Sequence, residues 1–186
     1  VRVHAQGDSQ SCPAGTDPMM LKPGQFIWTP DVAPAGPLVI VISLPQQRAY
    51  VYRNGIEIGV TPVSTGRKGY ETPTGVFNVL EKDADHRSNL YDDAPMPFML
   101  RLTWGGVALH AGHDPGRPQS HGCIRLPFMF AKSLFAAAPL GSQVIVTDRP
   151  LARGLRFAPV MFAGVPLELV PDTADHWSPE RAPAGH

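Results

Sequence analysis

Asn54-Gly55 separates two strand-like runs, Ala49-Tyr50-Val51-Tyr52 and Ile56-Glu57-Ile58-Gly59-Val60. A two-residue connection of this kind needs φ > 0 at both positions, and Asn-Gly accepts that conformation with little strain. The two runs are therefore expected to pair antiparallel, which commits this part of the chain to β-structure. Just upstream, Leu38-Val39-Ile40-Val41-Ile42-Ser43-Leu44 is apolar, rich in β-branched residues and bounded by prolines, the pattern of a buried strand. Downstream, Thr61 to Thr65 reads as a further strand leading into a Gly-rich loop, Gly66 to Gly75. Gly75-Val76-Phe77-Asn78-Val79-Leu80 and the alternating Phe98-Met99-Leu100-Arg101-Leu102-Thr103-Trp104 add two more strands. Residues 81–97 between them are polar and read as loop. Gly105-Gly106 forms a turn, after which Val107-Ala108-Leu109 runs into His110.

Beyond Cys123 the period changes. Leu126, Phe130, Leu134 and Ala138 lie four apart on one helical face, with Pro127 in the first turn and Pro139 and Gly141 at the end. Gln143-Val144-Ile145-Val146-Thr147 reads as a closing strand. The expected fold class is thus β-dominated, with six or so short strands and one clear helix.

Proline marks the boundaries. Six of the 21 prolines fall in residues 1–37 and six in 150–186, leaving nine for everything between. We therefore expect a Pro/Gly-rich lead over 1–37, a packed domain over 38–148 and an extension over 149–186. That extension carries one more apolar run, Pro159 to Val170. Sixteen basic side chains balance sixteen acidic ones with no polybasic run, so nothing calls for nucleic acid or an anionic membrane surface. The longest apolar stretches fall well short of a membrane span. The first residue is not Met, and Val3-His4-Ala5 reads either as the end of a signal peptide or as an arbitrary boundary.

The chemistry concentrates around Cys123. A thiol attacks as the thiolate and needs a base or an electropositive setting. Histidine is the usual base, because its pKa lies near neutrality. His121 lies two residues before Cys123, and His110 ends a strand further upstream. Gly122 between His121 and Cys123 suggests a sharp turn whose N–H groups converge, as an oxyanion hole requires. The residue most able to approach Cys123 from another element is then His110.

His110 followed by Ser120-His121-Gly122-Cys123-Ile124-Arg125 resembles the signature of the L,D-transpeptidase catalytic domain, the YkuD-type family. The resemblance covers roughly residues 38–148 and includes Ser64-Thr65-Gly66 and Thr72-Pro73-Thr74-Gly75-Val76-Phe77. It implies a β-sandwich of mixed sheets with a helix following the cysteine turn. It implies that Cys123 attacks the L-centred third residue of a peptidoglycan tetrapeptide stem and releases D-alanine. The acyl group then passes to an amine, giving a 3→3 cross-link. Water as acceptor would give an L,D-carboxypeptidase, and a D-amino acid or an envelope protein would be acceptors on the same site.

By the same resemblance His110 is the general base, oriented by the backbone carbonyl of Ala111. The N–H groups near His121, Gly122 and Cys123 form the oxyanion hole. Ser120 and Arg125 are assigned to substrate binding, with Tyr91, Met96, Phe98 and Trp104 as the cleft wall. No metal or organic cofactor is implied. A carbapenem is an expected covalent ligand, and the expected place of action is the periplasm or cell envelope. The loop from Ala111 to Gln119, which carries His113, Asp114 and Arg117, is shorter than in many members of the family.

Four other readings compete. Cys123 alone could be a buried structural thiol, or could pair with Cys12 in a disulfide. His110, His113, His121, Cys123 and Asp114 are all zinc-ligand types, which would make a metallopeptidase. His-x2-His on a Pro/Gly loop is not metalloprotease spacing, however. A wall-binding module that has lost turnover is the non-enzymatic alternative. His4, His86, His176 and His186 lie in polar surroundings and read as surface residues.

Overall fold

A computed structural model of the chain describes residues 9–88 and 93–151. The described residues form β1 (Gln10–Ser11), β2 (Gln25–Trp28), β3 (Leu38–Ser43), β4 (Arg48–Arg53), β5 (Ile56–Pro62) and β6 (Gly75–Asn78). They continue with β7 (Glu81–Arg87), β8 (Pro95–Arg101), β9 (Ala108–Ala111), β10 (Ile124–Leu126), α1 (Phe128–Ala137) and β11 (Gln143–Thr147). A seven-stranded sheet has the order β1-β2-β5-β4-β3-β11-β6, and a four-stranded sheet the order β10-β9-β8-β7. Both are mixed: β11 runs parallel to β3, and β10 parallel to β9. The fold is mainly β, as the sequence leads one to expect. No described helix is long and apolar enough to cross a membrane.

The Asn54-Gly55 hairpin joins β4 to β5, with φ of 50° and 78° at its two central residues. The run from Leu38 is continuously apolar because both faces of its sheet are covered. Leu38, Ile40 and Ile42 enter a core shared with Val51, Ile58, Leu100, Leu109, Ile124, Leu126, Phe130 and Leu134. Val41 faces a second cluster with Leu21, Ile27, Tyr50, Tyr52, Val60 and Leu151.

That second cluster corrects the expectation for the N-terminal lead. Its residues from 9 onward are part of the domain: β2 extends the sheet along β5, and Leu21 and Ile27 are buried. Arg48 fastens the segment by donating to the carbonyls of Pro18, Met19 and Leu21. Proline content there shapes the connections without excluding β-structure from Gln25–Trp28. The apolar run Pro159 to Val170 lies outside the described residues.

Residues 81–97 also depart from their reading as loop. Glu81–Arg87 forms β7, which among the described residues pairs with β8 alone and lies at the edge of its sheet. Charged side chains are common on such an edge. Helix α1 follows the expected stripe, with Phe130, Ala131 and Leu134 buried. Its C-terminus is closed from β7, where Lys82 Nζ donates to the carbonyls of Phe135 and Ala138 at 2.7 Å each. A cation at this end also suits the helix dipole.

Candidate active site

The parallel register of β9 and β10 places Arg125 beside His110, and Ile124 beside Leu109. Side chains alternate across a strand. Ile124, Leu126, Leu109 and Ala111 enter the core, so Cys123, Arg125, Ala108 and His110 share the opposite face. Cys123 packs there against Met96, Met99 and Ala108. From the strand spacing and rise, the Cα atoms of Cys123 and His110 are roughly 8 Å apart. The imidazole and the thiol are thus directed to the same side of the sheet.

His110 is buried at 7% exposure. Its Nδ1 lies 2.8 Å from the Ala111 carbonyl oxygen. A carbonyl only accepts, so Nδ1 carries the proton and Nε2 presents its lone pair. Burial, aided by the positive Arg125, pushes the His110 pKa down to about 4; the Ala111 carbonyl opposes the shift. The Cys123 thiol is raised, again chiefly by burial, and opposed by the Ala108 N–H and by Arg125 and Arg101. The thiol donates to the Gly106 carbonyl at 3.3 Å. The Gly105-Gly106 turn thus supplies an acceptor for the Cys123 thiol.

The turn before Cys123 is tied from several sides. Ser64 and Arg125 exchange both backbone hydrogen bonds, and Thr65 O accepts from the N–H groups of Gln119 and Ser120. Gly122 has φ of 115°, a conformation that favours glycine. Ser120 Oγ accepts from the Gly122 N–H at 3.1 Å and donates to the Cys123 carbonyl at 2.5 Å. The Gly122 N–H is therefore occupied. The Cys123 N–H has no acceptor among the described residues.

Several assigned residues take different places from those expected. Ser120 is 1% exposed, and its hydroxyl is bonded within the turn. Phe98 turns away from the site: its φ of 55° breaks the strand alternation, and its ring packs on Phe128 and Phe135 of α1. Met96 does line the thiol. Trp104 is exposed near Arg101, whose guanidinium lies 5.9 Å from its ring centroid. His121 is exposed and meets the Tyr70 ring edge-on at 4.9 Å, with Arg67 over the same ring. Arg125 is half-buried, its aliphatic stem lying close to Gly112. Tyr91 lies outside the described residues.

His86, expected at the surface, is on β7 with its side chain only 14% exposed, paired through Nδ1 with Asp83. Its Nε2 approaches Arg101 Nη2 at 3.4 Å, and Arg101 Nε donates to Glu81. Reading β7 as loop concealed this cluster. Cys12 and Cys123 are both free thiols. Among the described residues no three His, Cys, Asp or Glu side chains converge to hold a metal ion, so the zinc ligand set is not assembled.

With this geometry in hand, similarity to known proteins is direct. The YkuD family model, described as the L,D-transpeptidase catalytic domain, matches residues 37–146. YqjB of Bacillus subtilis is 29% identical over 147 residues, covering 70% of this chain and 81% of its own. L,D-transpeptidase 1 of Mycobacterium tuberculosis is 30% identical over 125 residues, covering 59% of this chain and 50% of its own. This chain thus spans about half the length of that mycobacterial relative. The structure of L,D-transpeptidase 3 of Mycobacterium tuberculosis with a faropenem-derived adduct superposes with a TM-score of 0.55 at 27% identity, covering 59% of each chain. The matched segment takes in the hairpin, the His110 strand, the cysteine turn and α1, and the chain belongs to the YkuD family of L,D-transpeptidase catalytic domains.

Proposed function

We propose that this chain is a peptidoglycan L,D-transpeptidase that uses Cys123 as nucleophile and His110 as general base, acting outside the cytoplasmic membrane. The observation that carries this reading is one shared sheet face. It holds the thiol and a histidine whose Nδ1 is fixed as donor by Ala111, so that Nε2 is left basic. Burial keeps the imidazole unprotonated at neutral pH, so the Nε2 lone pair is available for the thiol proton, while the same burial makes it a weaker base than an ordinary histidine.

The thiol proton passes to His110 Nε2 as sulfur bonds to the L-centre carbonyl of a tetrapeptide stem. The resulting oxyanion lies at the Cys123 N–H. Collapse breaks the C–N bond, and D-alanine leaves as the amine with the proton from His110. A stem amine then attacks the thioester, gives its proton to His110 and expels the thiol, leaving a 3→3 link. Water in place of the amine gives the tripeptide. Met96 and Met99 pack beside the sulfur, and Arg125 and Arg101 bring positive charge to it.

Mass measurement after incubation with a carbapenem tests the nucleophile: one adduct is expected on the wild type and none on Cys123→Ala. No adduct on the wild type, or equal labelling of both, would refute the reading. Muropeptide mass analysis after incubation with tetrapeptide stems then distinguishes cross-linked dimers from tripeptides.

A further inference from the structure

Thr72 lies in the loop between β5 and β6, distant in sequence from the cysteine turn, yet its hydroxyl ends inside it. The side chain is 3% exposed. Thr72 Oγ1 accepts from the Gly66 N–H at 2.9 Å and is 2.8 Å from the Gly122 carbonyl oxygen. An N–H can only donate and a carbonyl can only accept. The direction is therefore fixed: Gly66 N–H to Thr72 hydroxyl to Gly122 carbonyl.

The Gly122 carbonyl and the Cys123 N–H belong to the same peptide unit. That unit is planar and trans, so its C=O and N–H point in opposite directions. Gripping the carbonyl fixes the line along which the N–H projects. Ser120 already occupies the Gly122 N–H, so within this turn the next donor toward the nucleophile is the Cys123 N–H. Donation to the carbonyl also polarises the peptide and strengthens its N–H, because linked hydrogen bonds reinforce one another.

The loop is built to hold this contact. A Cβ on Gly66 would lie 1.9 Å from the Tyr70 carbonyl oxygen and 2.7 Å from the Thr72 nitrogen, so only glycine allows the loop to close. Pro73 restricts the backbone of Thr72 to extended conformations.

We infer that Thr72 is a positioning residue for acyl transfer: through the Gly122 peptide it aims the Cys123 N–H at the oxyanion. The inference rests on the cysteine-acylation reading above and goes beyond it. Its test compares two reactions of the same sulfur. Acylation by a carbapenem passes through a tetrahedral oxyanion, whereas alkylation by iodoacetamide displaces iodide at a saturated carbon and forms none. Thr72→Val removes the hydroxyl at nearly constant volume, Thr72→Ala removes it with less crowding, and Thr72→Ser retains it.

Both hydroxyl-free variants should acylate about tenfold to a hundredfold more slowly, less than the loss of a whole oxyanion donor. Their alkylation should stay within about twofold of the wild type, and Thr72→Ser should acylate within about threefold of it. Thermal unfolding identifies which hydroxyl-free variant is folded, and one suffices. Unchanged acylation in that variant, a parallel fall in both reactions, or a serine variant as slow as valine would overturn the inference. A wild type that alkylates but never acylates would instead overturn the acylation reading itself.

Discussion

Replacing His110 with asparagine should flatten the acid side of the stability profile. The asparagine amide nitrogen can take the place of Nδ1 and donate to the Ala111 carbonyl, but it does not titrate. In the wild type the folded imidazole has a pKa of about 4 against 6.5 for the ordinary side chain. Between those values the unfolded chain binds more protons than the folded one, so folding weakens as pH falls. The contribution is intact above pH 6.5, declines through the window, and stops changing below about pH 4, where the folded histidine is also protonated. One pKa unit corresponds to about 1.4 kcal/mol, so the drop from pH 7.5 to 4.5 is about 2.5 kcal/mol. For a domain of this size that is about 10 °C in Tm.

The assay is thermal unfolding of both proteins at the two pH values. Asp83, whose carboxyl is held low, and Asp114, whose carboxyl is raised, also respond to acid, but equally in both proteins. The difference between the two profiles isolates His110. Wild type should lose about 10 °C more than the variant. Parallel profiles would refute the claim that the imidazole is buried in its neutral form.

Two further substitutions test the frame around the site. Ser120→Ala leaves the Gly122 N–H and the Cys123 carbonyl without their hydroxyl partner. It should cost about 2–4 kcal/mol in urea unfolding, and a loss below about 1 kcal/mol would show that the turn holds without it. Lys82→Met keeps the apolar stem but removes both bonds to the end of α1. It should cost about 1–3 kcal/mol by the same measurement, with carbapenem acylation unchanged.

What could be read from sequence followed apolar periodicity. β3, β4, β5 and β11 announce themselves because they bury β-branched residues, and α1 because Phe130 and Leu134 lie on one stripe. β7 has no such pattern; its pairing with β8 is visible only in space, where Glu81 meets Arg101 and His86 meets Met96. Phe98 misleads for a different reason. Its positive φ interrupts the pleat, so Met96 and Met99 share the site face although they are three residues apart.

The site itself was half legible. Cys123 and His110 carry chemistry in their side chains and stand in a recognisable run. The groups around the sulfur are largely main-chain: the Gly106 carbonyl, the Ala108 N–H and the Gly122 peptide. Residue identity says little about a backbone atom, so these contacts leave no mark on the sequence. Thr72 stood within the family-like segment, but its reach to Gly122 depends on the fold.

Under the proposed mechanism the two perturbed groups mark where catalysis concentrates its order. Burial is the leading cause of both shifts, raising the Cys123 thiol and lowering His110. Each shift favours the neutral form, so the resting pair is thiol and imidazole, not thiolate and imidazolium. Charge separates only when a substrate carbonyl is present to receive it. Under the proposed mechanism the negative charge then resides on the carbonyl oxygen, and transition-state stabilisation falls to the donors around it. That is where this chain is most tightly determined: Ser120 occupies one peptide N–H of the turn, Thr72 grips the next peptide by its carbonyl, and Ser64 and Thr65 hold the flanks. Under that mechanism, a thiol held protonated at rest and a turn fixed before substrate arrives are two parts of one design, in which selectivity comes from the acyl group that completes the circuit.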